Sequence, residues 1–170
     1  MDWTVLVQDE SIFVYDYVIR RKKWISTDKK RPIVTVTGSH KRTIVFGCLS
    51  LQYKQLFKQY DKFNSNTFVD YLKHVQKRFG KYIIFVDRAT PHCSKITREF
   101  LDANKGTIRL EYFPVGSPEF DAVEECWRQG KYHILSTYYF TFDFLKDTIS
   151  YYYMTTRFNL DIVKYLRVID

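Results

Sequence analysis

Short apolar runs, each bounded by polar or turn-forming residues, fill the first third of the chain and predict β-strands. They cover residues 3–8, 12–19, 33–37 and 43–51. The first run ends on an acid, Asp9. The last run contains Gly47, which indicates a bulge or the close approach of another part of the chain. The simplest arrangement of these runs is an antiparallel meander.

A helical period of apolar residues follows, and it predicts an amphipathic helix. The apolar face comprises Phe68, Leu72, Val75 and Phe79. Residues 64–66 offer N-cap side chains, and Gly80 supplies a stop. The run at 82–86 is the most strand-like in the chain and also ends on an acid, Asp87. A second helix is predicted after Pro91, with Ile96, Phe100 and Leu101 on one face and Gly106 at its end.

The last third contains one more predicted strand, at 108–113, and is helical beyond it, with breaks near Ser136 and Asn159. Antiparallel strands followed by a βαβαβ order predict a mixed α/β sheet with helices on both faces, a ribonuclease H-like arrangement among others. No internal repeat or interdomain linker is visible. We therefore expect a single domain over 1–170, with a core at 1–135 and a C-terminal helical extension at 136–170.

Composition excludes two classes of protein. The chain has 45% hydrophobic and 18% aromatic residues, too many for a disordered polar tail. Its longest apolar-rich run without charge, 132–142, is too short to span a membrane, and no secretory signal is visible. The three cysteines form no CxxC pair, which favours a reduced, cytoplasmic protein.

Basic charge is concentrated in the first half of the chain. Residues 1–85 carry a net charge of +9 and residues 86–170 a net charge of −1, which together give +8. The segment 20–31 contains seven cations and one anion, and its Trp24 suits stacking on an unpaired base. Taken alone, the segment fits a solvated loop equally well. The candidate DNA-binding residues in it are Arg20, Arg21, Lys22, Lys23, Trp24, Lys29, Lys30 and Arg31.

Three carboxylates stand where a metal site would need them. Asp9 and Asp87 each end a predicted strand, and ligands of open α/β sheets bind at such ends. On a helix starting in PEFDAVEECW, Glu124 borders the face that packs on the sheet, whereas Glu125 points nearly opposite, to solvent. Two Mg²⁺ ions would relieve the repulsion among three acids and could cleave a phosphodiester. Each acid alone is more simply a turn or cap residue; jointly, the three favour a site.

The sequence resembles the DDE transposases of the mariner superfamily and the related prokaryotic insertion-sequence enzymes. Its motifs are Asp9-Glu10-Ser11 after a strand, VDRATPH with Asp87 and His92, and FPVGSPEFDAVEECW with Glu124 and Trp127. Between Asp87 and Glu124 lie 36 residues, close to the spacing of that family. Two departures are Arg88, where the family has Asn, and Asp121-Ala122, where it has Asn-Pro.

The resemblance implies a ribonuclease H-like DDE endonuclease. Such an enzyme hydrolyses phosphodiesters at transposon ends and transfers the strand to target DNA, using two Mg²⁺ or Mn²⁺ ions. It makes Asp9, Asp87 and Glu124 the catalytic metal ligands, with Arg88 and His92 as further DNA contacts. His92 could instead orient a ligand or cap the next helix.

Other interpretations of the sequence remain open. They are a structure-selective nuclease of the same fold, a DNA-binding remnant without activity, and an RNA-binding module. Against the last, the predicted strands carry no recognisable base-stacking motif. Tyr151–Tyr153 point three ways on a helix, which leaves room for a homodimer contact. Only eight residues precede Asp9, so we expect the family's helix-turn-helix region to be absent and DNA ends to be recognised by a separate domain or subunit.

Overall fold

A computed structural model of the protein describes residues 2–15, 27–28, 30, 38–114 and 121–162. The strands are β1 (Thr4–Val14), β2 (Arg42–Ser50), β3 (Gln55–Tyr60), β4 (Tyr82–Val86) and β5 (Ile108–Tyr112). The helices are α1 (Ser65–Phe79), α2 (Lys95–Ala103), α3 (Val123–Ile134) and α4 (Phe142–Thr155). No helix among the described residues is long and apolar enough to cross a membrane.

The strands form one mixed sheet in the order β3-β2-β1-β4-β5. The pairs β1–β2 and β2–β3 are antiparallel, whereas β1–β4 and β4–β5 are parallel. This mixed sheet confirms the arrangement of antiparallel and then parallel strands that the element pattern predicted. It places β1 at the centre, between the antiparallel and the parallel half.

The first strand differs from the prediction. β1 runs without a break through Asp9 to Val14, so residues 12–14 of the run predicted at 12–19 continue β1 and do not begin a second strand. Pairing with β2 extends from Leu6 to Val14, so the polar residues at 8–11 have backbone partners and stay extended. The predicted strand at 33–37 lies outside the described residues. β3 was missed because its sequence, QLFKQY, is polar and contains no β-branched residue.

Each face of the sheet is covered by two helices. On one face, Val7 and Val45 pack with Val123 and Trp127 of α3 and with Ile149 of α4. We call it the α3/α4 face. On the other, which we call the α1/α2 face, the buried sheet residues pack with α1 and with the half-buried Phe100 and Leu101 of α2. Because strand side chains alternate, neighbours along β1 point to different faces.

Capping residues set the ends of the helices that support the sheet. Asn64 forms a capping box with Thr67 at the start of α1, and Gly80 ends that helix with φ 74°. Ser94 caps the start of α2, which ends at Ala103 with Asn104 as its cap. The predicted end at Gly106 was therefore a few residues late. The break near Ser136 is confirmed, since α3 ends at Ile134.

Candidate active site

Asp9 and Asp87 occupy the same register of two adjacent parallel strands. β1 and β4 pair from Thr4 with Tyr82 to Val7 with Phe85, and two more residues along each strand bring Asp9 beside Asp87. Asp9 lies inside β1, which continues along β2, while Asp87 directly follows β4. The charge of Asp87 contributes to raising the pKa of Asp9. The two acids are thus neighbours, as the sequence suggested, although only one of them ends a strand.

The Asp9 carboxylate is held by a helix on the α3/α4 face. The indole Nε1 of Trp127 donates a hydrogen bond to Asp9 Oδ2 at 2.8 Å. Gly47 of β2 is the pairing partner of Asp9 in β1. A Cβ added to Gly47 would lie 2.5 Å from the Phe57 ring and 2.7 Å from Trp127 Cη2. The glycine that the sequence marked as a close approach therefore makes room for the ring that orients Asp9.

Negative charge is poorly compensated around Asp9. Burial raises the pKa of Asp9 to about 6, and the Glu10 charge adds to the rise. Burial likewise raises the pKa of Asp121 to about 8, with the Asp9 and Glu124 charges adding to it. Burial lowers the pKa of Lys131, and the Asp9 charge opposes that change. Such a cluster of acids favours a cation at this place.

Asp87 is held differently, by a histidine on the α1/α2 face. Its Oδ1 accepts a hydrogen bond from the Ala89 amide at 2.9 Å and pairs with His92 Nδ1 at 2.8 Å. The other ring nitrogen, Nε2, lies 2.9 Å from Glu10 Oε1. Burial disfavours a charged imidazole, but hydrogen bonds to Asp87 and Glu10 outweigh it and raise the pKa of His92 to about 10. The same hydrogen bond from His92 lowers the pKa of Asp87.

Glu124 lies in the first turn of α3 and is exposed. Asp121 begins that turn, since its Oδ1 accepts from the Val123 amide at 2.9 Å and its carbonyl from the Glu124 amide at 3.2 Å. Glu125 was expected to point to open solvent. Its side chain is instead only 22% exposed and forms an ion pair with Arg128. The side chain of Gln129 also donates to it.

The three candidate ligands are not gathered to ligating distance. In the part of the chain that the structure describes, no three His, Cys, Asp or Glu side chains are placed to hold a metal ion. The donor set nevertheless fits a hard divalent cation, because Asp9, Asp87 and Glu124 all offer carboxylate oxygens. Asp9 and Asp121 also have raised pKa values that a cation would relieve.

The candidate DNA contacts are only partly described. Lys30 and Arg88 are exposed, and the Arg88 guanidinium lies 4.9 Å from the centroid of the Tyr112 ring. His92 is only 1% exposed in this structure, and its contact with DNA stays a prediction. It does not cap the next helix, because Ser94 is the N-cap of α2. The other candidates lie outside the described residues: Arg20, Arg21, Lys22, Lys23, Trp24, Lys29 and Arg31.

Three residues of the site were not assigned from the sequence. They are Glu10, which pairs with His92; Trp127, which donates to Asp9; and Asp121, which shares the charge around Asp9. Strand alternation could have placed Glu10 opposite to Asp9. Nothing in the sequence pairs Glu10 with a residue 82 positions away.

Fold and site together define a ribonuclease H-like, DDE-type architecture, with one aspartate in the central strand, a second directly after the adjacent parallel strand, and a glutamate at the start of a helix. The family described as DDE superfamily endonuclease matches residues 4–146. The chain therefore belongs to that family. No curated protein matches it in sequence.

Solved structures of a mariner transposase share the fold. The chain is similar to the Mos1 mariner paired-end complex with Mg, at 13% identity and a TM-score of 0.69, covering 95% of this chain and 52% of that one. It is similar to the Mos1 paired-end complex with left transposon end at 11% identity and a TM-score of 0.67, covering 93% and 49%. The catalytic domain of Mos1 matches at 12% identity and a TM-score of 0.56, covering 95% and 74%.

At these identities the likeness establishes the fold alone. The chain spans about half the length of the Mos1 transposase chains in the paired-end complexes.

Proposed function

We propose that this chain is the catalytic domain of a DDE transposase, which hydrolyses phosphodiesters at transposon ends and transfers the freed strand to target DNA. The observation that carries the proposal is that Asp9 in β1 and Asp87, directly after β4, each lie two residues beyond a parallel pair of these strands. Membership of the DDE endonuclease family supports it. The Mos1 structures with Mg and with Mn support the use of a divalent cation.

Asp9, Asp87 and Glu124 are the residues we assign to hold two Mg²⁺ or Mn²⁺ ions. When bound, such a pair activates a water or hydroxyl nucleophile and stabilises the leaving oxygen of the phosphodiester. Within the chain, Trp127 fixes one oxygen of Asp9, and His92 fixes one oxygen of Asp87. Glu124 is exposed at the start of α3, so its carboxylate would be accessible to such an ion.

The metal-site assignment is tested by Asp87→Asn in a nicking assay on supercoiled plasmid DNA with Mg²⁺ or Mn²⁺. We expect the variant to lose nicking and to keep DNA binding, because the amide cannot replace an anionic ligand. Asp102→Asn is the matched control, since Asp102 lies on the surface of α2 paired with Lys105, and it should nick like wild type. Nicking by Asp87→Asn at the wild-type rate would contradict the assignment.

Two results would point to other functions. If the wild-type chain binds DNA and nicks nothing with either cation, it is a DNA-binding remnant. If it cuts branched DNA and neither nicks nor joins linear ends, it is a structure-selective nuclease of the same fold. Joining of a 3′ end to plasmid DNA would be specific to the transposase.

The basic segment 20–31 is proposed to follow the DNA backbone. Removing cations that neutralise phosphates reduces the salt dependence of binding, because fewer counterions are released from the DNA. Replacing Arg20, Arg21, Lys22 and Lys23 by Gln should therefore flatten the plot of log affinity against log salt concentration. An equal number of substitutions at Lys73, Lys77, Lys95 and Lys105 provides a charge-matched control. An unchanged slope in the first variant would favour the alternative interpretation, that the segment is a solvated loop that does not contact DNA.

The proposal extends to partners and location. We assign recognition of particular DNA ends to a separate domain or subunit, and catalysis to a homodimer. The exposed Tyr151 and Met154 of α4 are consistent with a dimer contact. The three cysteines are free, which suits a reducing compartment where DNA is present, the prokaryotic cytoplasm and its nucleoid.

A further inference from the structure

His92 connects two carboxylates below the candidate metal site. Its Nδ1 lies 2.8 Å from Asp87 Oδ1, and its Nε2 lies 2.9 Å from Glu10 Oε1. The imidazole is 1% exposed and Glu10 is 8% exposed, whereas Asp87 is 61% exposed. His92 thus links the buried Glu10, on the α1/α2 face, to the accessible Asp87.

Aromatic rings and a second polar side chain enclose this link. The imidazole packs against Phe68, with ring centroids 4.2 Å apart, and against Phe63 at 5.7 Å. Gln8 donates through Nε2 to the same Glu10 oxygen at 2.8 Å. Gln8 Oε1 is buried and has no partner among the described residues. Glu10 is therefore fixed by Gln8 as well as by His92.

A buried polar cluster of this kind is an inefficient way to stabilise a core. Apolar residues of similar volume usually serve as well as a buried ion pair or better. The cluster is not needed to start the next helix either, since Ser94 does so. What the cluster does is fix the position of one atom, Asp87 Oδ1, which also accepts a hydrogen bond from the Ala89 amide.

The second oxygen of Asp87 is left available. In the described part of the chain no donor is bonded to Oδ2. A carboxylate with one oxygen fixed and the other available can present a single lone-pair direction to a cation. Partners that orient a ligand in this way commonly contribute 10–100-fold to metal affinity.

We propose that Glu10 and His92 are positioning residues that fix Asp87 Oδ1 so that Oδ2 is presented to the divalent metal. This inference rests on the proposed function, because it takes Asp87 to be a ligand. It goes beyond that function in giving a role to Glu10, which is not among the three ligands assigned above and instead pairs with His92.

Two substitutions at one position separate positioning from packing. His92→Asn keeps a donor near the place of Nδ1, which meets Asp87, and no longer reaches Glu10. His92→Gln keeps a donor near the place of Nε2, which meets Glu10, and no longer holds Asp87. Mn²⁺ binding to the full chain without DNA is followed by the electron paramagnetic resonance signal of free Mn²⁺. We expect His92→Gln to weaken binding about 10-fold or more and His92→Asn to weaken it clearly less.

A second pair of variants tests the Glu10 end of the link. Glu10→Ala removes the acceptor that holds His92, while Glu10→Gln keeps an oxygen in its place. We expect Glu10→Ala to weaken Mn²⁺ binding and Glu10→Gln to restore most of it. Glu99→Ala, which removes an exposed glutamate paired with Lys95 on α2, controls for the change of charge. Thermal unfolding of every variant accompanies the titrations, and this pair decides the question if the His92 variants do not fold.

The outcomes are distinguishable. Equal weakening in His92→Asn and His92→Gln, or wild-type affinity in a folded His92→Gln, overturns the positioning role. A fall of affinity in Glu10→Gln as large as in Glu10→Ala overturns the part assigned to Glu10. If Asp87→Asn binds Mn²⁺ as well as wild type, the proposed function itself fails, whatever the His92 variants do.

Discussion

Asp9 and Glu10 are adjacent in β1, yet they lie on different faces of the sheet and in opposite electrostatic situations. On the α3/α4 face, Asp9 receives a neutral donor, the Trp127 indole, and burial raises its pKa to about 6. On the α1/α2 face, Glu10 meets His92, whose pKa is raised to about 10 against the cost of burial by hydrogen bonds to Asp87 and Glu10.

The difference separates what each face does for the site. Charge on the α1/α2 face is compensated inside the protein, and the result is a fixed geometry. On the α3/α4 face, Asp9 and Asp121 keep unfavourable charge that only an added cation would relieve. The candidate site therefore has one side with a fixed geometry and one side with uncompensated negative charge.

The largest effect is expected from Trp127, the residue that joins the α3/α4 face to Asp9. Trp127→Ala should reduce the free energy of unfolding by about 3–5 kcal/mol, because it leaves a cavity in the core. Trp127→Phe keeps most of the ring and removes the donor to Asp9, so it should cost about 1–3 kcal/mol. Urea unfolding measures both. If Trp127→Phe has no effect on stability or on Mn²⁺ affinity, the indole does not orient Asp9.

The charge on Asp9 should destabilise the metal-free protein. Its folded pKa of about 6 lies above the value of 3.8 for an unperturbed Asp. The folded state therefore binds more protons between these values, and stability falls as the pH rises through this window. In EDTA at pH 7, Asp9→Asn should be more stable than wild type by up to about 3 kcal/mol, given about 1.4 kcal/mol for each pKa unit. Near pH 4 the gain should vanish.

The two faces should also titrate in different windows. His92 has its folded pKa raised from 6.5 to about 10, so its contribution is complete below pH 6.5 and is lost as the pH rises towards 10. Asp9→Asn should remove the slope between pH 4 and 6 and leave the alkaline slope in place. A gain in stability that persists at pH 4 would show that ionisation of the buried Asp9 is not its source.

A smaller effect is expected at Gly47. An added Cβ would lie 2.5 Å from the Phe57 ring and 2.7 Å from the Trp127 ring, so both rings must shift. Overpacking of this kind costs about 1–3 kcal/mol. Gly47→Ala should lose that much stability and also weaken Mn²⁺ binding, because Trp127 would move from Asp9. Gly106→Ala is the control, since nothing lies within 4 Å of a Cβ there, and its stability should be almost unchanged.

Much of the fold follows from local patterns in the sequence. The apolar period of α1, its start near residues 64–66 and its stop at Gly80 were predicted and are confirmed, and Asn64 is the cap. The prediction failed where pairing overrides local signal. Residues 8–11 are polar and suggest a break, but β2 provides partners for their backbone and β1 continues. β3 has no strand signal of its own and is extended because it pairs with β2.

The candidate site divides in the same way. Asp9 and Asp87 could be selected because apolar runs precede them, and their common register followed once the strands were paired. The contact between Glu10 and His92 joins residues 82 positions apart, so it depends on how α1 and the loop after β4 pack. The sequence left His92 open to touching DNA, capping a helix or orienting a ligand; Ser94 takes the cap position, and the buried ring lies against Asp87.

The smallest effect is expected on the α1/α2 face away from the histidine, at the N-cap of α1. Asn64 accepts from the Thr67 amide at 3.0 Å, and Asn64→Ala should cost about 1 kcal/mol of stability. Because the cap touches neither Glu10 nor His92, Mn²⁺ affinity should stay at the wild-type value. Urea unfolding and the Mn²⁺ titration measure the two quantities in one sample. A fall in affinity that scales with the decrease in stability would mean that any weakening of this face loosens Asp87, and that His92 has no special part in holding it.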